Sequence, residues 1–315
     1  MRALVLDPQL VLRKDYPEPA RVAGESIVRV RLAGICGTDL ELARGYMSYC
    51  GVPGHEFVGE VSETETPNLA GRRVVGEINA ACGRCNWCAG GLARHCPNRT
   101  VLGIAGRDGA FAEFLRLPDQ NLVPLPDSVP DELGVFVEPV AAIYEMFEQT
   151  KLEPDGKLAV LGDGRLGALA ALVLRAEGYA PVLVGHHREK LDRLAALGVN
   201  VKLEDEVLSG FDAVIDCTGA GSGLARALAI VRPRGTVILK STATASAPVN
   251  LAPAVVNEIT VVGSRCGRFA PALAALACGK LDPRPLISQV FPLDDALAAF
   301  AAAGRSPTFK VLLEP

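Results

Sequence analysis

The sequence predicts an α/β chain in two parts, a β-rich domain and a doubly wound parallel-sheet domain, and three observations predict it. Up to Val123, short apolar runs are separated by Gly and Pro, the pattern of strands joined by turns. Beyond Pro124 to Pro130, runs rich in Val and Ile alternate with Ala/Leu segments at helical spacing, as βαβ units do. The first of those runs feeds directly into a glycine-rich turn at Gly162.

In the N-terminal part, Ser26 to Leu32, Phe57 to Val61 and Arg73 to Ile78 read as strands. In the second part the strand candidates are Leu158 to Leu161, Val182 to Val184, Val199 to Leu203, Ala213 to Asp216, Thr236 to Leu239 and Ile259 to Val262. The helical stretches between them, including Arg165 to Glu177, Glu189 to Leu197 and Gly223 to Val231, have the length of crossover connections. From about Gly267 the tail holds an Ala-rich helix, a second helix near Leu293 to Ala303 and a closing strand, Phe309 to Leu313. The expected division is residues 1–130 with 267–315 rejoining them, and residues 131–266 as the parallel-sheet domain.

The chain has 315 residues, of which 49% are apolar and 22% charged, with a formal net charge of −4. This is the balance of a globular protein, and it offers no basic field to draw in nucleic acid or an anionic membrane surface. A small-molecule substrate is expected, with neither nucleic acid nor membrane as partner. The opening MRALVLDPQL has no basic segment followed by an apolar run, and the stretch Ala168 to Leu174 is too short to span a bilayer. A cytoplasmic protein is expected.

Of nine cysteines, Cys82, Cys85, Cys88 and Cys96 fall in CGRCNWCAGGLARHC, spaced C-x2-C-x2-C-x7-C. Four thiolates on one loop can enclose a tetrahedral zinc ion and leave no free position, which makes such a site structural. Clustered C-x2-C spacing points to metal before disulfides in a reducing compartment. Cys50, Cys217 and Cys278 show no ligand spacing and are expected to be small buried apolar residues.

Lys157 to Leu161 runs into Gly162-Asp163-Gly164-Arg165-Leu166-Gly167, and an Ala/Leu helix follows. In a strand-turn-helix context the first glycine permits the tight turn, the second lets the backbone approach a pyrophosphate, and the third permits close helix packing. With six strands around it, the turn predicts a dinucleotide cofactor, held by Gly162, Gly164, Arg165, Leu166 and Gly167. An acidic residue about twenty positions on would bind the ribose of NAD. Here that place is Gly185, followed by His186, His187 and Arg188. Two readings stand: His186 and Arg188 receive the 2′-phosphate of NADP, or they are solvated loop residues. Strand ends at the carboxyl edge, among them Thr218, are further candidate cofactor contacts.

Gly34-Ile35-Cys36-Gly37-Thr38-Asp39 and Gly54-His55-Glu56, with the cysteine loop and the glycine turn in this order, resemble the zinc-dependent medium-chain dehydrogenase/reductase family over nearly the whole chain. The resemblance implies a GroES-like catalytic domain, a Rossmann domain, and alcohol oxidation or carbonyl reduction with NAD or NADP. It also implies two zinc ions per chain and a homodimer or homotetramer. Cys36 and His55 would be ligands of the catalytic zinc. Phe136-Val137-Glu138-Pro139 is similar to the segment that supplies a carboxylate ligand in the polyol, sugar and threonine branches, which points to Glu138, with helix capping as its other reading. Glu56 would lie beside the metal or exchange onto it, Asp39 would fix the histidine tautomer, and the Thr38 hydroxyl would begin a proton relay. Many relatives continue that relay with histidine where this chain has Glu41, which leaves Glu41 either a relay member or a solvent-facing group. Such an ion keeps one position open and, as a Lewis acid, lowers the pKa of a hydroxyl placed there. A zinc-free enone or quinone reductase and a non-catalytic paralogue are the alternatives.

Overall fold

The computed structural model describes residues 1–207, 209–242 and 248–315. The chain forms two compact units, one of Met1–Glu138 with Phe269–Pro315, the other of Pro139–Arg268.

The first unit begins with a hairpin, β1 (Ala3–Leu6) and β2 (Leu10–Arg13). Its main sheet is built on β3 (Glu25–Gly34), whose burial alternates from Val28 to Leu32 and is continuous from Leu32 to Gly34, where the strand enters the core. β3 pairs antiparallel with β4 (Glu56–Glu63), which pairs with β5 (Arg73–Gly76). β9 (Phe114–Pro118) also pairs with β3, and β10 (Leu122–Pro124) closes the sheet beyond β5. Between β5 and β9 lies a small sheet of β6 (Asn79–Ala80), β7 (Thr100–Leu102) and β8 (Gly106–Arg107). The helices of this part are short: α1 (Gly37–Ala43), α2 (Asn86–Ala89) and α3 (Asp131–Gly134).

The tail rejoins this unit. β18 (Lys310–Glu314) lies antiparallel to β3, pairing Leu312 with Gly34, and parallel to β17 (Ile287–Pro292). α10 (Ala296–Ala303) sets Phe300 edge-on against Phe111, with ring centroids 5.6 Å apart. α9 (Phe269–Ala277) begins the returning segment. Asp131 takes Arg31 and Arg73, each at 2.7 Å. Those two ion pairs tie α3 to the strands, and the compact unit runs to Glu138.

The second unit is a six-stranded parallel sheet in the order β13-β12-β11-β14-β15-β16. The strands are β11 (Leu158–Leu161), β12 (Val182–Gly185), β13 (Asn200–Leu203), β14 (Phe211–Asp216), β15 (Val231–Leu239) and β16 (Thr260–Gly263). α4 (Val137–Gln149) leads in, α5 (Arg165–Ala176), α6 (Arg188–Ala196) and α7 (Gly223–Ile230) connect strands, and α8 (Ala252–Val256) precedes β16. The order reverses between β11 and β14, the switch point at which such sheets bind ligands. Ala159, Leu161, Val184, Val214 and Val237 form the buried interior with Ala227 and Leu228 of α7. β15 starts five residues earlier than expected, because exposed Arg232, Pro233 and Arg234 disguise its first half.

Candidate zinc and dinucleotide sites

Cys36 ends the run of β3 into α1, and His55 immediately precedes β4, the neighbour of β3. Adjacent strands therefore bring together residues nineteen positions apart. Asp39, fully buried, accepts the Cys36 N–H at Oδ2 (2.8 Å) and the Gly54 N–H at Oδ1 (3.3 Å), and Oδ1 lies 3.3 Å from His55 Nδ1. One carboxylate thus clamps both segments. Burial lowers the proton affinity of His55, but the Asp39 charge and hydrogen bond, with Cys36, raise its pKa well above the ordinary value. Donor atoms of Cys36, His55 and Glu56 all lie within 4.8 Å of one another. A sulfur, an imidazole nitrogen and a carboxylate oxygen are a donor set that suits zinc.

Glu138 stands in the first turn of α4, half-buried, and is outside that three-residue cluster. Thr38 Oγ1 is 3.9 Å from Cys36 Sγ. Glu41 pairs with Arg44 one turn along at 2.5 Å, the arrangement of a helix-surface ion pair.

The cysteine loop spans the connection from β6 to β7, closed by the pairing of Ala80 with Thr100. Sulfur separations are 3.5 Å for Cys85–Cys88 and Cys82–Cys96, 3.7 Å for Cys85–Cys96 and 4.0 Å for Cys82–Cys88. Four sulfurs about 2.3 Å from a central zinc ion stand about 3.8 Å apart, so the loop has the dimensions of a tetrahedral site. The Arg84 N–H and the Cys96 thiol pull Cys82 down to about 6, and the Cys88 N–H lowers Cys85, while burial pushes Cys88 up to about 11. Of the cysteines without ligand spacing, only Cys217 is buried; Cys50 and Cys278 are exposed, contrary to expectation, because each lies where the chain turns at the surface.

At the end of β11, Gly162 has φ +105°, a conformation that favours glycine. A Cβ on Gly167 would lie 1.8 Å from the Gly162 carbonyl oxygen, whereas a Cβ on Gly164, the N-cap of α5, would meet nothing within 4 Å. The first glycine makes the turn, the third packs the helix, and the second borders open space, where an anion can approach the helix N-terminus. Arg165 and Leu166 open α5 and are half-buried.

Asp163, given no role in the sequence analysis, is a structural centre. Its carboxylate accepts the N–H groups of His186 (2.8 Å) and His187 (2.7 Å) and faces His187 Nδ1 at 3.0 Å. Burial raises its pKa, but the donors of His187 and His186 hold it below the usual range. A side chain at Gly185 would collide with it, at 2.4 Å. His186 and Arg188 are exposed beside Gly185, with Glu204 2.6 Å from His186 and Glu206 3.9 Å from Arg188. Further along the same edge, Thr218 donates its N–H and hydroxyl to Asp216, and Gly219 donates to Ser241. Lys240 reaches Ser264 at 3.1 Å.

Comparison with known proteins agrees with this geometry. A family model described as the alcohol dehydrogenase GroES-like domain matches residues 22–127, and one described as zinc-binding dehydrogenase matches residues 166–278. The L-threonine 3-dehydrogenase of Streptomyces coelicolor is 32% identical, covering 100% of this chain and 99% of that protein. Among solved structures, an alcohol dehydrogenase from Thermus sp. ATN1 superposes with a TM-score of 0.92 at 30% identity, over 100% of both chains. A zinc-binding dehydrogenase from Sinorhizobium meliloti bound to NADP gives 0.91 at 25% identity, over 100% of this chain and 99% of that one. With both domains, both sets of metal donors and the glycine turn in place, the chain belongs to the zinc-dependent medium-chain dehydrogenase/reductase family.

Proposed function

We propose that this chain is a zinc-dependent oxidoreductase that transfers a hydride between an alcohol or polyol, or its carbonyl product, and a nicotinamide dinucleotide, with NADP favoured over NAD. The mixed donor cluster of Cys36, His55 and Glu56 carries the reading. Cys36 and His55 hold the catalytic zinc with Glu138 as the third ligand, and Cys82, Cys85, Cys88 and Cys96 hold the structural one. A zinc ion bound there would supply Lewis acidity toward a substrate oxygen, and a bound nicotinamide would supply the hydride acceptor. Asp39 keeps the His55 ring oriented and the Cys36 backbone fixed, and the Thr38 hydroxyl next to Cys36 receives the substrate proton.

Gly162, Gly164, Arg165, Leu166 and Gly167 would hold the dinucleotide, with Gly185, His186 and Arg188 as contacts for its adenosine part and Thr218, just beyond the end of β14, as a further contact. The preference for NADP is supported by a bare strand end at Gly185 beside two exposed basic side chains. Glu204 and Glu206 compete for those side chains, so the preference is a ratio of affinities and not an exclusion. Self-association into a homodimer or homotetramer is supported by apolar groups on α8 and the edge strand β16, where Val255 and Val256 are 77% and 78% exposed. Among the described residues no helix is long and apolar enough to cross a membrane, and we place the protein in the cytoplasm, where clustered thiols stay reduced.

The test combines a metal count, a screen of alcohols, polyols and sugar alcohols, and kcat/KM with each cofactor. About two zinc ions per chain and turnover with a higher kcat/KM for NADP are expected, since a structural and a catalytic site each take one ion. One zinc without turnover would overturn the catalytic reading, and equal constants or an NAD preference would overturn the cofactor assignment.

A further inference from the structure

His55 follows a run, Gly51 to Gly54, in which every backbone polar group has a partner. Gly51 exchanges two hydrogen bonds with Leu6 of β1, at 3.1 and 2.9 Å. The Val52 N–H donates to Asp108 Oδ1 at 2.9 Å, and the Val52 carbonyl accepts the Gly109 N–H at 2.6 Å and the Tyr49 hydroxyl at 2.8 Å. Phe111 donates to the Pro53 carbonyl at 3.0 Å and Ala110 to the Gly54 carbonyl at 2.9 Å, while the Gly54 N–H goes to Asp39. Val52 to Gly54 are buried, and buried main-chain groups need such partners. Only two of the bonds in this run are accepted by side chains, and both acceptors are carboxylates.

The fit between the run and residues 103–111 is close. A Cβ on Gly103 would lie 2.3 Å from the Gly54 carbonyl oxygen, and one on Gly109 would lie 2.2 Å from it. Asp108 stands at the surface between β8 and β9, yet both its oxygens are engaged: Oδ1 takes Val52, and Oδ2 accepts the Tyr16 hydroxyl at 2.9 Å. Glu56, which follows His55, is held separately by a buried ion pair with Lys310 of β18, their side chains 1% and 5% exposed.

We infer that Asp108 is a positioning residue for the metal site, acting through Val52 on the backbone that delivers His55. The inference rests on the metal-site reading proposed above. Ligand atoms must be placed to within about 0.2 Å, so the run before His55 has to be held at more than one point. Asp39 holds it at Gly54. Asp108 holds it at Val52, and without that carboxylate the Val52 N–H loses its acceptor and the run is free to turn toward water.

The experiment uses the full-length protein with cobalt(II) at the catalytic site and zinc in the cysteine loop, after the metal content of the wild type has been measured. Asp108→Ala should shift the visible bands of the cobalt and speed its release to a chelator by about 10- to 100-fold, the span over which outer-shell partners alter metal affinity. The zinc of the cysteine loop should leave at the wild-type rate. Asp108→Asn keeps an oxygen acceptor for Val52, and its amide can donate to the Tyr16 hydroxyl, so it should retain the wild-type spectrum and release. Tyr16→Phe removes a bond to Asp108 without touching Val52, and should leave the cobalt unchanged whatever it does to the melting midpoint. Wild-type cobalt behaviour in folded Asp108→Ala, equal acceleration of both metals, or Asp108→Asn no better than Asp108→Ala would overturn the inference. If Asp108→Ala does not fold, hydrogen exchange of the wild type decides: the Val52 amide should exchange as slowly as those of β4, and exchange at the rate of an open loop would overturn the clamp. Uptake of about one zinc ion per chain by the wild type, too few for a second site, would instead remove the metal-site reading and this inference with it.

Discussion

Two alanine substitutions in the glycine turn, at Gly164 and Gly167, should separate folding from cofactor binding. Gly164 has φ −78° and ψ −175°, an extended conformation open to any residue, and a Cβ there meets no protein atom within 4 Å. Gly164→Ala should therefore leave stability unchanged or raise it by about 0.4–1 kcal/mol through the smaller entropy of the unfolded chain. At this chain length such a gain moves the melting midpoint up by about 1–4 °C. The same methyl group occupies the space through which a pyrophosphate reaches the helix N-terminus. Loss of one charge-assisted hydrogen bond there costs about 1.5–3 kcal/mol, or about 10- to 100-fold in Kd. Gly167→Ala forces a Cβ to within 1.8 Å of the Gly162 carbonyl oxygen, a backbone clash that should cost about 3 kcal/mol or more. Thermal melts and titration of NADPH fluorescence read the two effects separately. Unchanged NADPH affinity in Gly164→Ala, or a melting midpoint in Gly167→Ala equal to the wild type, would refute the assignment of roles within the turn.

Cys96 is the fully buried member of the cysteine loop. Cys96→Ser should release about one zinc ion per chain and lower the melting midpoint while folded protein keeps its turnover; loss of turnover at unchanged stability would contradict a structural role. Glu25 is held below its ordinary pKa of 4.5 by Arg107, against burial, with Arg116 assisting. Its folded value lies under its unfolded one, so its stabilisation is complete above about pH 4.5 and is lost as pH falls through the depressed value. Glu25→Gln should thus be less stable than wild type by about 1 kcal/mol near neutrality, after allowance for partial exposure. Urea melts on a pH series should show the gap closing on acidification, and a gap that widens toward acid would be inconsistent with the Arg107 pair.

The six strands of the parallel sheet were legible because each central strand is buried on both faces and reads as an unbroken apolar run, as in Leu158 to Leu161. The glycine turn and the cysteine loop were legible for a related reason: their chemistry depends on local backbone geometry, which spacing encodes. Lys310 was not, since nothing local links it to Glu56; the pairing exists through the register of β4, β3 and β18, and register is a property of the assembled sheet. The one available signal was a lysine leading the apolar run Val311 to Leu313. Asp163 was passed over because the motif leaves its position unspecified, although a carboxylate facing the two N–H groups after β12 organises that turn. The ion pairs of Asp131 with Arg31 and Arg73 were hidden because these residues are far apart in sequence, and charged residues read as solvated until their partners are known.

The interrupted layout of the first unit also bears on how the protein is made. Residues 139–268 leave the ribosome before residues 269–315, so the parallel-sheet unit can complete its core first although it stands second in the chain. The first unit must wait with β3 lacking one neighbour until β18 arrives. That interval leaves an unpaired strand edge available to other nascent chains. A ribosome stalled anywhere before Lys310 would yield a chain with Cys36, His55 and all four loop cysteines but without the ammonium that meets Glu56. The Glu56 carboxylate therefore gains its buried cation only once Lys310 has been synthesised.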